Sequence, residues 1–390
     1  MLIVQYILLI SAITLMLPVA VLLTQVLTAI FSSKKMPIAM PSITRPSVAI
    51  LIPAHNESLV IAKTLESLLP QLSSQDQLLV VADNCTDDTA TISKSLGAKV
   101  IARNNLILRG KGYALDFGLQ HLSLQPSQVV IVVDADCIVL SDAIQLLALA
   151  CVNYQRPIQA LYLMESQPQP SLKARIAEFA WLLKNKVRPL GFKALGLPCQ
   201  LMGTGMAFLW EDINKMNLAS GHIVEDMKLG VDFSRMNKAP IFLPEALVKS
   251  VFPPTQQATN TQRERWEHGH LSVILNEAPS LLYEAIKLQN LEMFGLACDL
   301  IVPPIAVVSL LCAVLFVLSL FFATQLAILL SSLELICLTF SVLLAWFFFG
   351  QHIISFKQLC YAPIYALIKI PLYIKFFFNR QVDWVRSKRD

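Results

Sequence analysis

The sequence predicts an α/β domain on a mostly parallel sheet, held to a membrane by apolar helices at both ends of the chain. Three observations predict it. Short β-branched runs alternate with helical patterns between about residues 46 and 290, the signature of a parallel sheet with helices on both faces. Only 15% of the 390 residues are charged and 55% are hydrophobic, with a mean hydropathy of +0.59, whereas an ordinary soluble domain carries about 25% charged residues. The excess apolar residues gather at the two ends of the chain.

The first element is LIVQYILLISAITLMLPVAVLLTQVLTAIF, which carries no charge and exceeds the ~20 apolar residues a spanning helix needs. A signal peptide would show a basic n-region, a shorter apolar core and a small-residue cleavage site. The expectation is therefore an uncleaved anchor over 1–32. SVAILIPA (47–54) reads as a strand and a helix follows Ser58. QLLVVAD (77–83) is a strand, and TDDTATISKSL opens a helix with Thr86 as its expected cap. KVIAR (99–103) is a short strand ahead of the helical GYALDFGLQHL. QVVIVV (128–133) is the continuous apolar run of a strand buried on both faces. Ser141 is the expected cap of SDAIQLLALA, and ALYLMES (160–166) is the next strand. SLKARIAEFAWLLKNKVR (171–188) has five basic residues and one acid. It is amphipathic, either lying on anionic lipid or facing a core with a solvated side.

Residues 294–322 and 326–350 read as two further spans. Asp299 precedes Pro303-Pro304, a pair that cannot continue a regular helix, so a local break is expected there. Glu334 lies in the third apolar cluster, where an acid is a functional candidate unless it sits at the outer interface. The following SFKQLCYAPIYALIKIPLYIKFFF is interrupted by Lys357, Pro363, Lys369, Pro371 and Lys375. It reads as an interfacial helix at 351–378, followed by a basic tail, with a short re-entrant or fourth spanning helix as the alternative. Lys34, Lys35 and Arg45 follow the first apolar segment, and Arg380, Arg386, Lys388 and Arg389 end the chain. The positive-inside rule then puts the α/β domain and the tail in the cytoplasm, with three spans in the plasma (inner) membrane.

Several classes are disfavoured. Eight cysteines without a CxxC fit a reducing compartment and form neither a disulfide framework nor a zinc site. A net charge of +4 implies no nucleic acid partner. No GxGxxG or GxxxxGK[ST] loop is present, which argues against a dinucleotide dehydrogenase or a P-loop kinase. Three spans without paired broken helices argue against a transporter.

Ligands on such sheets bind beyond the carboxyl ends of the strands. PAHNE follows the first strand with His55, Asn56 and Glu57. DNCTDD follows the second from Asp83, and DADC follows the fourth with Asp134 and Asp136. Residues i and i+2 of an extended backbone point the same way, so these two carboxylates are expected to share one Mg²⁺ or Mn²⁺. A lone DxD reads equally as a polar turn; three acidic strand ends on one edge favour the site. RGKGYAL (109–115) puts Lys111 in a glycine turn before a helix, an anion contact. Glu225 and Asp226 stand near a helix start, which the helix dipole alone would explain. TQRERWEHGH (261–270) surrounds Trp266 with charge; its plain alternative is an anchor at the membrane interface. His268 and His270 are expected to be solvated or hydrogen-bonded.

In order along the chain, Asp83, Asp134-Ala135-Asp136, Glu225-Asp226 and Gln262-Arg263-Glu264-Arg265-Trp266 resemble the family 2 glycosyltransferases of the membrane-bound cellulose, chitin and hyaluronan synthase type. The resemblance implies a GT-A-like (Rossmann-like) fold and a UDP-sugar donor. It implies Asp83 at the nucleobase, Asp136 on the metal, and Asp134 on the metal or ribose. Asp226 would be the general base, Arg265 would attend the leaving diphosphate, and Glu57 and Lys111 would join the donor site. Glu225, Gly203, Thr204, Gln262 and Trp266 would line the acceptor side, with Trp266 stacking on a sugar. With no separate nucleophile, one in-line displacement with inversion is expected. The acceptor would be a growing polysaccharide or oligosaccharide; the alternative is a single addition to a lipid, giving a glycolipid. A third reading, an inactive sugar-nucleotide-binding membrane scaffold, has no use for Asp226 or QRERW. The chain departs from cellulose synthases in Met202-Gly203-Thr204 where they have Cys-Gly-Ser, and in Val224 where they have Thr. Three spans are also fewer than polymer exporters use, so a polymer product would call for export partner proteins.

Overall fold

The computed structural model describes residues 1–32, 44–219, 221, 224–253 and 255–378. Lys34, Lys35 and the basic tail from Arg380 lie outside the described residues. The chain forms two compact units. One comprises the described residues within 44–167 and 198–269; the other comprises those within 1–32, 168–197 and 270–378.

The first unit is built on eight strands: β1 Val48–Ala54, β2 Gln77–Asp83, β3 Lys99–Arg103, β4 Val129–Val132, β5 Ile138–Val139, β6 Ile158–Glu165, β7 Met206–Leu209 and β8 Ile241–Val251. They form one sheet in the order β3-β2-β1-β4-β7-β6-β8-β5. β1 runs parallel to both β2 and β4, β2 to β3, and β6 to β8. β7 runs antiparallel to β4 and β6, and β5 to β8. This is the mostly parallel α/β sheet expected, of GT-A type. β4 is buried throughout, and β1 and β2 at all but one position each, because helices cover both faces. One core cluster joins Leu51, Val81, Val130 and Met206 to Leu115, Leu119 and Phe233. Phe208 stacks on Phe233 at 5.4 Å. The register places Ala54 beside Ala82 and Leu51 beside Val132, so PAHNE, DNCTDD and DADC leave the sheet along one edge.

Two expected caps are corrected. The helix after β2 is Thr89–Ser95, with Asp88 before it and no side-chain cap. Thr86 is instead tied to Asn56, whose Oδ1 accepts from Thr86 N–H at 2.7 Å. The helix Ala143–Tyr154 is preceded by Asp142 in a left-handed conformation, again without a side-chain cap, so Ser141 does not cap it. β8 contains Pro244, which has no N–H to give a ladder. The register slips there, from Ala160 against Leu243 to Leu161 against Leu247, and the proline sits in the bulge.

The second unit is helical. Among the described residues, four segments are long and apolar enough to cross a membrane: Leu2–Ser32, Ile305–Phe322, Gln325–Gly350 and Phe356–Phe376. The first three bury residues at spacings of three and four: Val19, Leu22, Val26 and Ala29; Val308, Cys312, Leu315 and Ser319; Ala327, Ser331, Glu334 and Leu338. Small residues on these stripes let apolar helices approach closely. The span expected from residue 294 begins at Ile305, because the helix Leu291–Leu300 ends before Pro303-Pro304. Glu334 lies midway along its helix, fully buried, with neither carboxylate oxygen hydrogen-bonded among the described residues; it is not at a helix end. The last segment is broken into Phe356–Leu359, Ala362–Ile368 and Ile370–Phe378, with Pro363 and Pro371 each near the start of a piece.

Residues 171–194 form Leu172–Leu182, a π-helical turn Leu183–Val187, and Arg188–Ala194. They pack with the apolar helices. Arg188 Nη2 donates to the Asp299 carboxylate at 2.8 Å and to its carbonyl at 2.6 Å, while Nε donates to Gln25 Oε1 at 3.1 Å. Gln25 Nε2 closes the network on Asp299 at 2.7 Å. A buried pair of this kind persists when further hydrogen bonds support it, and here Gln25 makes one with each partner. His270 is buried, with its Nε2 3.2 Å from Leu300 O. Burial, then Lys184 and Arg188, pushes its pKa well down, so the ring is neutral. His268 is also fully buried; neither histidine is solvated.

Candidate active site

The carboxyl edge of the sheet gathers most of the expected residues. Lys111 opens the helix Lys111–Leu122. Its ammonium lies 2.5 Å from Asp134 Oδ1 and 3.9 Å from Glu225 Oε1, and donates to Gly203 O at 2.6 Å. Burial alone would lower its pKa, but Asp134, Glu225 and Asp226 outweigh that and hold it well above the ordinary lysine value. Asp134 and Asp136 bracket a turn after β4, in which Cys137 N–H donates to Asp134 O at 3.2 Å. The carboxylates therefore converge through a turn and not through the extended backbone expected. One ligand atom each from Asp134, Asp136 and Cys137 lie within 4.8 Å of one another. Burial raises the Asp134 carboxyl, Lys111 opposes the shift and Asp136 adds to it.

Glu225 and Asp226 begin the helix Glu225–Arg235. Burial, reinforced by Asp226 and opposed by Lys111, pushes Glu225 up to about 7. A Cβ built on Gly203 would lie 3.4 Å from Asp226 Oδ2, 3.6 Å from Lys111 Nζ and 3.9 Å from Asp134 Oδ2. The absent side chain thus opens the middle of the constellation. Arg265 lies on Gln256–Asn276. Burial lowers its pKa against the pull of Glu225, Asp134, Asp136 and Asp226, so it faces the same carboxylates. Its Nε is enclosed and makes no hydrogen bond among the described residues.

The remaining expected residues are placed as follows. Asp83 ends β2 nearly buried, paired with Arg103 at 2.7 Å and accepting from Asn84 Nδ2 at 3.0 Å. Arg103 also donates to Leu108 O and lies over the Tyr113 ring at 5.5 Å. Glu57 is pinned through its own N–H, which donates to Thr89 Oγ1 at 2.7 Å. Gln262 is buried and Trp266 half-buried on the helix that carries Arg265. Thr204, expected at the acceptor, is fully inside the fold, and its hydroxyl accepts from Asp134 N–H at 3.0 Å. It braces the turn that carries Asp134 and Asp136.

Sequence reasoning missed three supporting residues. Gln159 is buried on β6; its Nε2 donates to Thr204 O at 2.9 Å and its Oε1 accepts from Met202 N–H at 2.8 Å. It splints the turn that carries Gly203. Gly269 faces Val224, and any Cβ there would overlap that side chain, so the Arg265 helix approaches the Glu225-Asp226 helix start only with glycine. Arg103 orients Asp83. An arginine at the end of β3 was visible in sequence; the other two had no local signal.

Residues 49–160 match the family "Glycosyl transferase family 2", and residues 129–350 match "Glycosyl transferase family group 2". A probable glycosyltransferase, YdaM, of Bacillus subtilis is 26% identical over 59% of this chain and 56% of its own length. A 4,4'-diaponeurosporenoate glycosyltransferase of Staphylococcus haemolyticus is 28% identical over 49% of this chain and 52% of its own. The chain spans about half the length of these curated relatives. Among solved structures, the mannosyltransferase PcManGT of Pyrobaculum calidifontis, in complex with GDP-Man and Mn²⁺, superposes with a TM-score of 0.56 at 14% identity. That match covers 96% of this chain and all of the other, a likeness of fold.

Proposed function

This chain belongs to glycosyl transferase family group 2, and from that premise we propose that it is a membrane-bound, metal-dependent, inverting enzyme that moves a sugar from a UDP-sugar to a lipid acceptor. The observation that carries the reaction is the single constellation of Lys111, Asp134, Asp136, Gly203, Glu225, Asp226 and Arg265 on one sheet edge. The paired hard carboxylates of Asp134 and Asp136 suit Mg²⁺ or Mn²⁺, and the mannosyltransferase of similar fold is solved with Mn²⁺. When bound, such an ion supplies Lewis-acid stabilisation of the leaving diphosphate.

Each residue then has a task. Asp83, oriented by Arg103, accepts from the nucleobase, and Glu57 lies on the donor side. Arg265, with its unused Nε, and Lys111 stabilise charge developing on the diphosphate. Asp226 faces the gap left by Gly203 and takes the proton from the attacking acceptor hydroxyl. Glu225 stays beside it, and its value near 7 limits the negative charge around the base. Gln262 and Trp266 line the acceptor side, the indole offering a flat apolar face. We place the first three spans across the inner membrane with the sheet unit in the cytoplasm, and 351–378 on the cytoplasmic leaflet.

The lipid acceptor is favoured by the relatives. One is named for glycosylating 4,4'-diaponeurosporenoate. Another, 36% identical over 25% of this chain, is a beta-monoglucosyldiacylglycerol synthase of Nostoc. The second reading, a polysaccharide or oligosaccharide product, is favoured by the four motifs in order from Asp83 to Trp266. Full-length protein in lipid bilayers with Mn²⁺ and a panel of UDP-sugars tests both. Lipid-stimulated UDP release with one sugar on an extractable lipid is expected. A ladder of water-soluble products supports the polymer, and no release with any donor rejects transfer.

A further inference from the structure

We propose that Lys186 forms a binding site for the phosphate of an anionic membrane lipid, at the end of the helical bundle crossed by residues 172–194. The site is separate from the transfer reaction and holds whichever sugar is moved.

The placement comes from contacts inside the helical unit. Arg188 joins Gln25, near the end of the first span, to Asp299, just ahead of the second. At the other end of the same segment, Arg175 Nη1 donates to Ile353 O at 2.9 Å, and Phe179 packs so closely on Gly350 that a Cβ there would lie 2.5 Å from its ring. Residue 350 ends the third span. The segment therefore lies across the end of the bundle where the first span finishes, the second begins and the third finishes. In a bilayer that end is the headgroup level.

Charge then selects the ligand. The segment carries Lys173, Arg175, Lys184, Lys186, Arg188 and Lys193 against the single acid Glu178. Arg188 is consumed internally by Asp299 and Gln25. Lys186 differs. It is half-buried in the π-helical turn Leu183–Val187, with no ion pair or hydrogen bond to any described residue. Burial alone depresses its pKa, with no carboxylate opposing it. A desolvated ammonium lacking a counter-ion costs free energy unless an external anion supplies one. π-Helical turns also recur at functional sites. At headgroup depth the abundant anion is a lipid phosphate, and a basic interfacial segment attracts it.

The test uses full-length protein and fluorescent phosphatidylglycerol, with fluorescent phosphatidylcholine as the zwitterionic control. Wild type is expected to bind phosphatidylglycerol more tightly, and Lys186→Gln to weaken that binding about five-fold, the scale of one lysine near an anionic surface. Phosphatidylcholine binding should not change. Lys186→Arg should restore the preference, and Lys186→Met repeats the loss should the Gln protein fold poorly. Lys173→Gln, an exposed lysine of the same segment, separates a site from a diffuse basic field. Equal effects at 173 and 186 overturn the proposal, as does wild-type binding by Lys186→Gln. Displacement of the lipid by inorganic phosphate alone would reassign Lys186 to a free anion and overturn the lipid source.

Discussion

Replacing Gly203 by alanine separates the chemistry of the site from the stability of its turn. Gly203 has φ +91°, a conformation that costs an L-residue about 1–2 kcal/mol. That is a modest fraction of a domain's total stability of ~5–15 kcal/mol, so the protein folds. The new methyl stands in the middle of the site, 3.4 Å from Asp226 Oδ2 and 3.6 Å from Lys111 Nζ. These are contacts the two groups can tolerate alone, but they occupy space that acceptor and diphosphate must enter. A reactant displaced by about 1 Å loses ~10²-fold in rate. Gly205 is the control: φ +62°, with its Cβ position 2.7 Å from Ala160 Cβ and 2.9 Å from Val248 Cγ2, inside the sheet. Backbone strain and overpacking there together cost about 2–5 kcal/mol. Thermal unfolding and Mn²⁺-supported UDP release in the same lipid are measured for both. Gly203→Ala should keep most of its Tm and lose ~10²-fold in turnover, while Gly205→Ala should lose Tm first. A Gly203→Ala enzyme with ordinary turnover would refute the placement of the reaction at this gap.

Four further outcomes are expected. Asp226→Asn should keep donor affinity while turnover falls ~10²-fold or more, as removal of a general base does; near-normal turnover would pass the role to Glu225. Trp266→Ala should spare UDP-sugar binding and slow hydrolysis but collapse transfer to acceptor, with Phe or Tyr recovering part; equal loss of donor binding would make it a wall of the nucleotide pocket. Burial pushes the Asp87 carboxyl up, but hydrogen bonds from Thr89 and Ser58 outweigh it and hold the pKa at about 2, below the ordinary 3.8. Its stabilisation is therefore present above the unfolded value and lost as pH falls towards 2, so Asp87→Asn should flatten that part of the Tm–pH curve, and unchanged slopes count against it. Finally, a cysteine at Ser387, beyond the described residues, should be shielded from an impermeant thiol reagent in intact cells; labelling there would mean a fourth span.

Three of the strands legible in the sequence are those whose burial is uniform. β1, β2 and β4 are covered on both faces, so their sequences are continuous apolar runs. β8 was not read as a strand, because its exposed positions, Pro244 and bulge break any simple period. β7 is only four residues long. The cap residues misled for a different reason. Thr86 has the right chemistry to cap, but Asn56, thirty residues away, claims its backbone. The same division holds in the site. Asp134, Asp136, Glu225, Asp226 and Arg265 announce themselves by residue type and order. Gln159, Thr204 and Gly269 act only through partners distant in sequence, and an amide on a strand or a glycine in a helix carries no local sign of that use.

The charge balance of the site explains why its parts belong together. Four carboxylates, of Asp134, Asp136, Glu225 and Asp226, face two cations, Lys111 and Arg265. With every group ionised, two negative charges are left over in a partly desolvated cleft, where like charges repel strongly. The fold relieves part of this by raising Glu225 to about 7, so that near neutral pH it carries a full charge only part of the time. The rest is unsuited to receive a diphosphate directly and well suited to a divalent cation, whose charge matches the surplus. Lys111 holds Asp134 and the Gly203 carbonyl together in the meantime. It keeps the DxD turn and the Gly203 turn in register without any ligand. Removing that ammonium, as in Lys111→Met, would leave the four carboxylates with Arg265 alone, and the surplus would rise from two charges to three.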